Sequence, residues 1–432
     1  MSTVAHPSTE SRRAAATRVA AALGSETGLA RVALGAGAIH VVDDNFLQPN
    51  PGTSAADHLW GGLVQVAVLV VFAWVYPRLV AGLRATLSIF FGVFVAVMAA
   101  EGINEYRDGS LSGDDYTALL CIPAGLLLVG VGLVTFWRTR KGGGLLWRYA
   151  RRALVALGIL VGLYFVMYPL SESYVVTHAG RAFVPTPVLG AEYRDVSFTT
   201  VDGLRLEGWY IPSKNGAAVI AFPGRKGPQK PATLLARRGY GVLLFDRRGE
   251  GESEGDPNLF GWQGTRDIEA AVAFLRAQPD VRNGRIGGLG LSVGGEMMLQ
   301  EAAESDGMKA IVSEGAGIRS VREGVHMDGA AKVIATWASG IATLGTMVWT
   351  SNLPPRGLID LSGEITEPTL FIHADPGMGG ETLTEKYYEA AKGPKEYWQA
   401  PGGHTGALDA APEEYERRVV GFFDENLLGS SS

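Results

Sequence analysis

The first 170 residues are dominated by uncharged apolar runs separated by short charged loops. Residues 61–77 (GGLVQVAVLVVFAWVYP), 85–100, 116–137 and 153–170 contain no Asp, Glu, Lys or Arg. Each is close to the roughly 20 residues that cross a bilayer as a helix. A core helix of a soluble domain would carry its apolar residues in a stripe interrupted by charges, and these runs do not. The pattern predicts a transmembrane helical region over 31–172 with four or five helices, preceded by a cytoplasmic tail over 1–30. The fifth helix is the shorter run 32–42 (VALGAGAIHVV), which is as well read as an interfacial helix.

From about residue 190 the texture changes to short apolar stretches alternating with amphipathic ones. Strands are expected over 196–201, 204–211, 217–222, 241–245, 285–291, 309–313, 369–373 and 396–400. Helices are expected over 231–238, 265–277, 293–304, 383–391 and 412–426. A hairpin followed by β/α alternation implies an α/β fold with a doubly wound, mostly parallel sheet. That second domain spans 190–428 and carries an insertion over about 316–360. Within the insertion, residues 333–350 (VIATWASGIATLGTMVWT) are again uncharged. Crossing the membrane there would separate the last strands from the rest of the sheet. The stretch is therefore expected to be a lid helix rather than a further span.

Composition agrees with part of the chain being in lipid: 47% of the 432 residues are hydrophobic. The charge distribution gives the orientation. Arg12, Arg13, Arg18 and Arg31 precede the first run, Arg78 and Arg84 follow the second, and Arg138, Arg140, Lys141, Arg148, Arg151 and Arg152 precede the last. The alternate loops are basic-poor: Asp43, Asp44 and Asp57 lie in one, and Glu101, Glu105, Asp108, Asp114 and Asp115 face only Arg107 in the other. By the positive-inside rule this is a multi-pass protein of the cell membrane, its C-terminal domain on the extracytoplasmic side. No compact apolar segment of signal-peptide type opens the chain. The net charge of −6 and the lack of a basic run exclude nucleic acid as a partner. One cysteine, Cys121, excludes an internal disulfide and a Cys-rich zinc site. His40, Asp43, Asp44 and His58 lie close in sequence, but read as a polar loop better than as a metal or proton site.

The chemistry concentrates at Gly290-Leu291-Ser292-Val293-Gly294. A G-x-S-x-G string is weak in a chain with 58 glycines. Its setting, between a predicted strand and a predicted helix, is what a nucleophile elbow requires, with small residues allowing the sharp turn.

Four further stretches extend the likeness. Asp202-Gly203-Leu204-Arg205-Leu206 leads into Gly208-Trp209-Tyr210-Ile211-Pro212. Phe222-Pro223-Gly224-Arg225 follows, then Phe245-Asp246-Arg247-Arg248-Gly249-Glu250-Gly251-Glu252-Ser253. Pro401-Gly402-Gly403-His404 closes the set. In this order they resemble the α/β-hydrolase family (serine esterases, lipases and dienelactone-hydrolase-like enzymes) over residues 190–428. The resemblance implies a catalytic triad with Ser292 as nucleophile and His404 as its base. The triad acid is expected after the strand 369–373, where two carboxylates lie. Asp375 is favoured because it follows the strand end directly. Glu381 is the alternative if Gly377-Met378-Gly379-Gly380 folds back. The oxyanion hole would take the backbone N–H groups of Val293 and Arg225, with the Arg225 side chain solvated or attracting an anionic group.

The activity expected is that of a membrane-anchored serine esterase, a hydrolase cleaving an acyl ester, amide or thioester through an acyl-enzyme. It needs no cofactor and no metal, and its partner is a small-molecule or lipid-like acyl substrate. Acyltransferase and peptidase activities would use the same residues. A reading from another class makes the helices a sensor or transport bundle and the hydrolase fold a binding module. The scarcity of charge within the runs argues against a transport path.

Overall fold

The computed structural model describes residues 21–108, 113, 115–138, 144–181, 183–327 and 329–429. The tail charges Arg12, Arg13 and Arg18, and the loop charges Asp114, Arg140 and Lys141, lie outside the described residues. The chain divides into two compact units. One comprises the described residues up to Pro49, Ser54–Val175 and Val348–Ser351; the other comprises Asn50–Thr53, Val176–Met347 and the described residues from Asn352 onward.

The first unit is a helical bundle. The candidate spans Leu59–Arg78, Ala81–Arg107, Asp115–Arg138 and Leu145–Thr177 are long and apolar enough to cross a membrane, and so is Lys332–Thr350, which belongs to the second unit as far as Met347. The short apolar run at 32–42 belongs to a longer helix, Glu26–Val42, capped where the Ser25 hydroxyl accepts the Gly28 N–H at 3.0 Å. This helix is central rather than peripheral, since Ala30, Ala33, Leu34 and Val41 are buried in the bundle core. Small residues set the helix spacing. A Cβ on Gly125 would sit 2.5 Å from the Gly92 carbonyl oxygen, and one on Gly92 would sit 2.8 Å from that of Gly125. Backbone-to-backbone approach of this kind gains van der Waals contact between the helices.

The second unit is built on one eight-stranded sheet: β1 (Arg194–Thr199), β2 (Arg205–Ile211), β3 (Ala218–Phe222), β4 (Gly241–Phe245), β5 (Ile286–Leu291), β6 (Ala310–Glu314), β7 (Thr369–Asp375) and β8 (Lys395–Pro401). Their spatial order is β1-β2-β4-β3-β5-β6-β7-β8. The β1–β2 and β2–β4 pairs are antiparallel and all others are parallel. Strands β3 to β6 are buried along their whole length, as strands covered on both faces must be. One face packs Val219, Val242, Leu289 and Val312 against Leu235, Val419 and Phe423. The other packs Ile220, Leu243 and Ile311 against Ile268, Met298 and Leu299. The order reverses between β3 and β5, which places the carboxyl ends of the central strands around a crevice.

Expected and observed strand boundaries agree to within two residues, and one such difference matters. Strand β7 continues through Asp375, where a loop was expected from residue 374.

Candidate active site

Strand β5 delivers Ser292. The turn from β5 into the helix Val293–Glu304 puts Ser292 at φ 55°, ψ −127°, a region that non-glycine residues rarely adopt. Both flanking glycines are required by space. A Cβ on Gly290 would lie 2.3 Å from the Gly294 carbonyl oxygen, and one on Gly294 would lie 2.7 Å from Phe222 Cβ. The strained residue is held by its own N–H, which donates to the Glu314 carbonyl at 2.8 Å. The Val293 N–H then opens the helix, where backbone donors are free to face an anion.

His404 Nε2 lies 2.9 Å from Ser292 Oγ. Its Nδ1 meets Glu381 Oε1. Glu381 is buried, and its other oxygen accepts the Met378 N–H at 3.1 Å. Burial depresses the His404 pKa below the ordinary 6.5, which favours the neutral imidazole that a general base must present.

The sequence-based preference for Asp375 is corrected by this geometry. Because β7 runs two residues further than expected, Asp375 is still in the ladder, opposite Pro401. Its exposed carboxylate accepts from Gln399 Nε2 at 3.2 Å. Glu381 reaches the histidine because the glycine-rich segment folds back into a short helical turn, Gly379–Leu383. His373 fixes that turn, its Nδ1 lying 3.0 Å from the Glu381 carbonyl oxygen.

Arg225 follows β3, as expected, but its side chain is neither solvated nor available to a substrate. It is buried, with Nε 2.9 Å from Asp246 Oδ2 and Nη1 2.9 Å from Glu252 Oε2. The loop after β4 is similarly occupied with itself. Arg248 is held by Asp267 at 2.7 Å and Asp202 at 2.9 Å, and the Ser253 hydroxyl donates to the Asp246 carbonyl at 2.7 Å. These residues brace the loops beneath the site.

Glu314 is a group that the sequence reading missed. Besides anchoring the Ser292 N–H through its carbonyl, it accepts the Ala407 N–H with its carboxyl at 3.2 Å, three residues past His404. It thus ties the elbow to the histidine loop. Burial pushes its carboxyl up to about 7, against the pull of that hydrogen bond. The signal was present in the sequence: an acidic residue ending an apolar strand, followed by Gly315-Ala316-Gly317, at the carboxyl edge of the sheet. Glu296 is also buried and pushed up to about 7, while accepting the Gly317 N–H at 3.0 Å.

Elsewhere, His40 Nδ1 lies 3.3 Å from Thr117 Oγ1, which donates to Asp43 at 2.9 Å. Among the described residues, no three metal-ligating side chains converge.

A mostly parallel sheet with a serine at a strained strand-to-helix turn and a late histidine against it defines the architecture of an α/β hydrolase. Residues 197–400 match the family model for X-Pro dipeptidyl-peptidase (S15 family). The protein YfhR of Escherichia coli O157:H7 is 32% identical over 252 residues, covering 52% of this chain and 79% of its own length. The protein Rv2307c of Mycobacterium tuberculosis is 31% identical over 284 residues, covering 62% of this chain and 89% of its own. The structure of a Pyrococcus furiosus esterase is 24% identical, with a TM-score of 0.46, covering 58% of this chain and 98% of that one. The chain belongs to the α/β-hydrolase family.

Proposed function

We propose that this protein is a membrane-anchored serine hydrolase that cleaves an acyl ester, or the corresponding thioester or amide, through an acyl-enzyme. The observation that carries this reading is the relay Ser292–His404–Glu381, with nucleophile and base 2.9 Å apart. In the first half-reaction Ser292 Oγ attacks the acyl carbon while His404 Nε2 takes its proton. The charge that develops on the acyl oxygen is held by the N–H groups of Val293 and Arg225. Glu381 holds the ring by Nδ1 and stabilises the imidazolium, which then protonates the leaving group as the carbon–heteroatom bond breaks. Water, deprotonated by the same nitrogen, attacks the acyl-enzyme and releases the acid and Ser292. An alcohol or amine in place of that water would make the same residues an acyltransferase.

The four apolar candidate spans before the hydrolase unit anchor it, and the alternation of basic and basic-poor loops sets the serine on the extracytoplasmic side. A substrate with an acyl chain suits a hydrolase held at a bilayer.

A fluorophosphonate probe applied to membranes tests the reading. It is expected to label the wild type and not Ser292→Ala, which should also lose ester hydrolysis by about a millionfold in kcat. Wild-type protein that stays unlabelled while a control serine hydrolase reacts would remove the reading's main support.

A further inference from the structure

The helix Gly329–Thr350 carries an apolar surface that the hydrolase sheet does not need. Val333, Trp337 and Leu344 are 70%, 54% and 64% exposed, and their spacing of four and seven residues puts them on one stripe. Ala342 and Thr346, on the opposite side, are buried. From Val333 to Thr350 the helix carries no charge. Such a stripe would aggregate in water unless an apolar phase covers it.

Both ends of the helix are tied down. Near its start, a Cβ on Gly324 would lie 2.9 Å from the Thr336 backbone nitrogen, so the helix rests against the turn Val321–Gly324 of the hydrolase unit. That turn is braced by the Arg322–Asp360 pair at 3.0 Å. At its end, Trp349 belongs to the helical unit. The Trp349 ring stacks on Phe94 at 5.5 Å and meets Tyr174 edge-on at 5.7 Å. Its Nε1 donates to Ser173 Oγ at 2.9 Å, and the Gly61 N–H donates to Ser351 Oγ at 3.3 Å. Gly61 and Tyr174 lie within three residues of the ends of the candidate spans Leu59–Arg78 and Leu145–Thr177, and Phe94 lies within Ala81–Arg107. Strands β6 and β7, which precede and follow the insertion in the chain, pair directly, so the helix between them does not cross to the basic side.

We propose that Gly329–Thr350 is an in-plane membrane helix, its Val333–Trp337–Leu344 stripe sunk among the acyl chains of the extracytoplasmic leaflet. This rests on the membrane location given to the helical unit above. It gives the insertion a defined partner, the lipid surface, and a defined consequence: the segment at the lid position contacts acyl chains in the bilayer. An interfacial helix of this kind inserts its apolar face about 5–10 Å below the headgroups.

The test is depth-dependent quenching in the full-length protein, reconstituted into phosphatidylcholine–phosphatidylglycerol vesicles. With Cys121→Ser as background, an environment-sensitive fluorophore is placed in turn on Val333→Cys, Trp337→Cys and Leu344→Cys. Val70→Cys, on a candidate span, and Asp306→Cys, on the hydrolase surface, serve as references. Spin labels high on the acyl chain should quench all three helix positions about twofold or more beyond labels near the chain terminus. Position 306 should be unquenched and position 70 quenched. If position 70 is quenched while 333, 337 and 344 are not, the helix lies off the membrane and the inference fails with the anchoring intact. Quenching that deepens steadily from 333 to 344 would make it a span and overturn the inference too. No quenching at position 70 would mean instead that the anchoring reading itself has failed.

Discussion

Glu381 lies six residues beyond the end of β7, yet its carboxyl meets the histidine, because Gly377, Gly379 and Gly380 impose no side-chain bulk on a tight reversal. Asp375 is nearer in sequence but is committed to the strand, where alternation sends its side chain toward Gln399. The two carboxylates are therefore separable by amide substitution, which preserves shape and removes charge. Glu381→Gln is expected to lower kcat for ester hydrolysis by about four orders of magnitude, because the amide neither selects the reactive tautomer nor stabilises the imidazolium. Asp375→Asn, at an exposed position, should stay within about twofold. Equal losses in both variants would sink the assignment.

The pH profile follows from the same residue. The histidine works as a base only when neutral, and burial holds its pKa below 6.5, so activity is retained at neutral pH and lost as pH falls through that lowered value. The acid limb of kcat/KM for the free enzyme should thus fall below pH 6.5; a limb above it would contradict the buried imidazole. At this scale Ser292 and His404 were legible from the sequence, since each stands in a short string whose glycines report the backbone turn. The acid was not. Its position depends on where a strand stops, and periodicity places strand ends only to within a few residues. Glu314 escaped for a different reason: its role is defined by residues far away in sequence, Ser292 and Ala407, that only the folded sheet brings together.

At the level of elements, the four long apolar helices were legible because hydropathy over about 20 residues averages out local exceptions. The helix Glu26–Val42 was half visible. Its alanines and glycines lower the hydropathy that identifies a span, and the same small side chains let it pack at the centre of the bundle. The buried strands read correctly because runs such as Ala218–Phe222 and Gly241–Phe245 are apolar at every position, as a sheet covered on both faces demands. The lid expectation for the insertion captured a helix without its anchoring. Trp349 packs against Phe94 and Tyr174, residues about 255 and 175 positions away in sequence, and no local pattern encodes such a contact.

For the whole molecule, the proposed membrane anchoring turns on the distribution of charge among the loops between the apolar helices. Arg138 precedes the candidate span Leu145–Thr177 and Arg148, Arg151 and Arg152 lie in its first turns, whereas Asp43, Asp44 and Asp57 follow the first apolar helix. Moving that basic segment across a bilayer would oppose the bias that orients short loops during insertion, which is why the proposed anchoring puts the hydrolase unit on the extracytoplasmic side. Single cysteines report this directly, because Cys121, the chain's one native thiol, is buried. A membrane-impermeant maleimide applied to intact cells should label Asp306→Cys, exposed on the hydrolase surface, and spare Arg148→Cys, exposed at the basic end of the last span, until the cells are permeabilised. The reversed pattern would put Ser292 in the cytoplasm and leave the positive-inside argument without force. Because Asp306 and Arg148 both lie outside the relay, each variant should keep its fluorophosphonate labelling, so a change in maleimide access reports orientation rather than loss of the folded site.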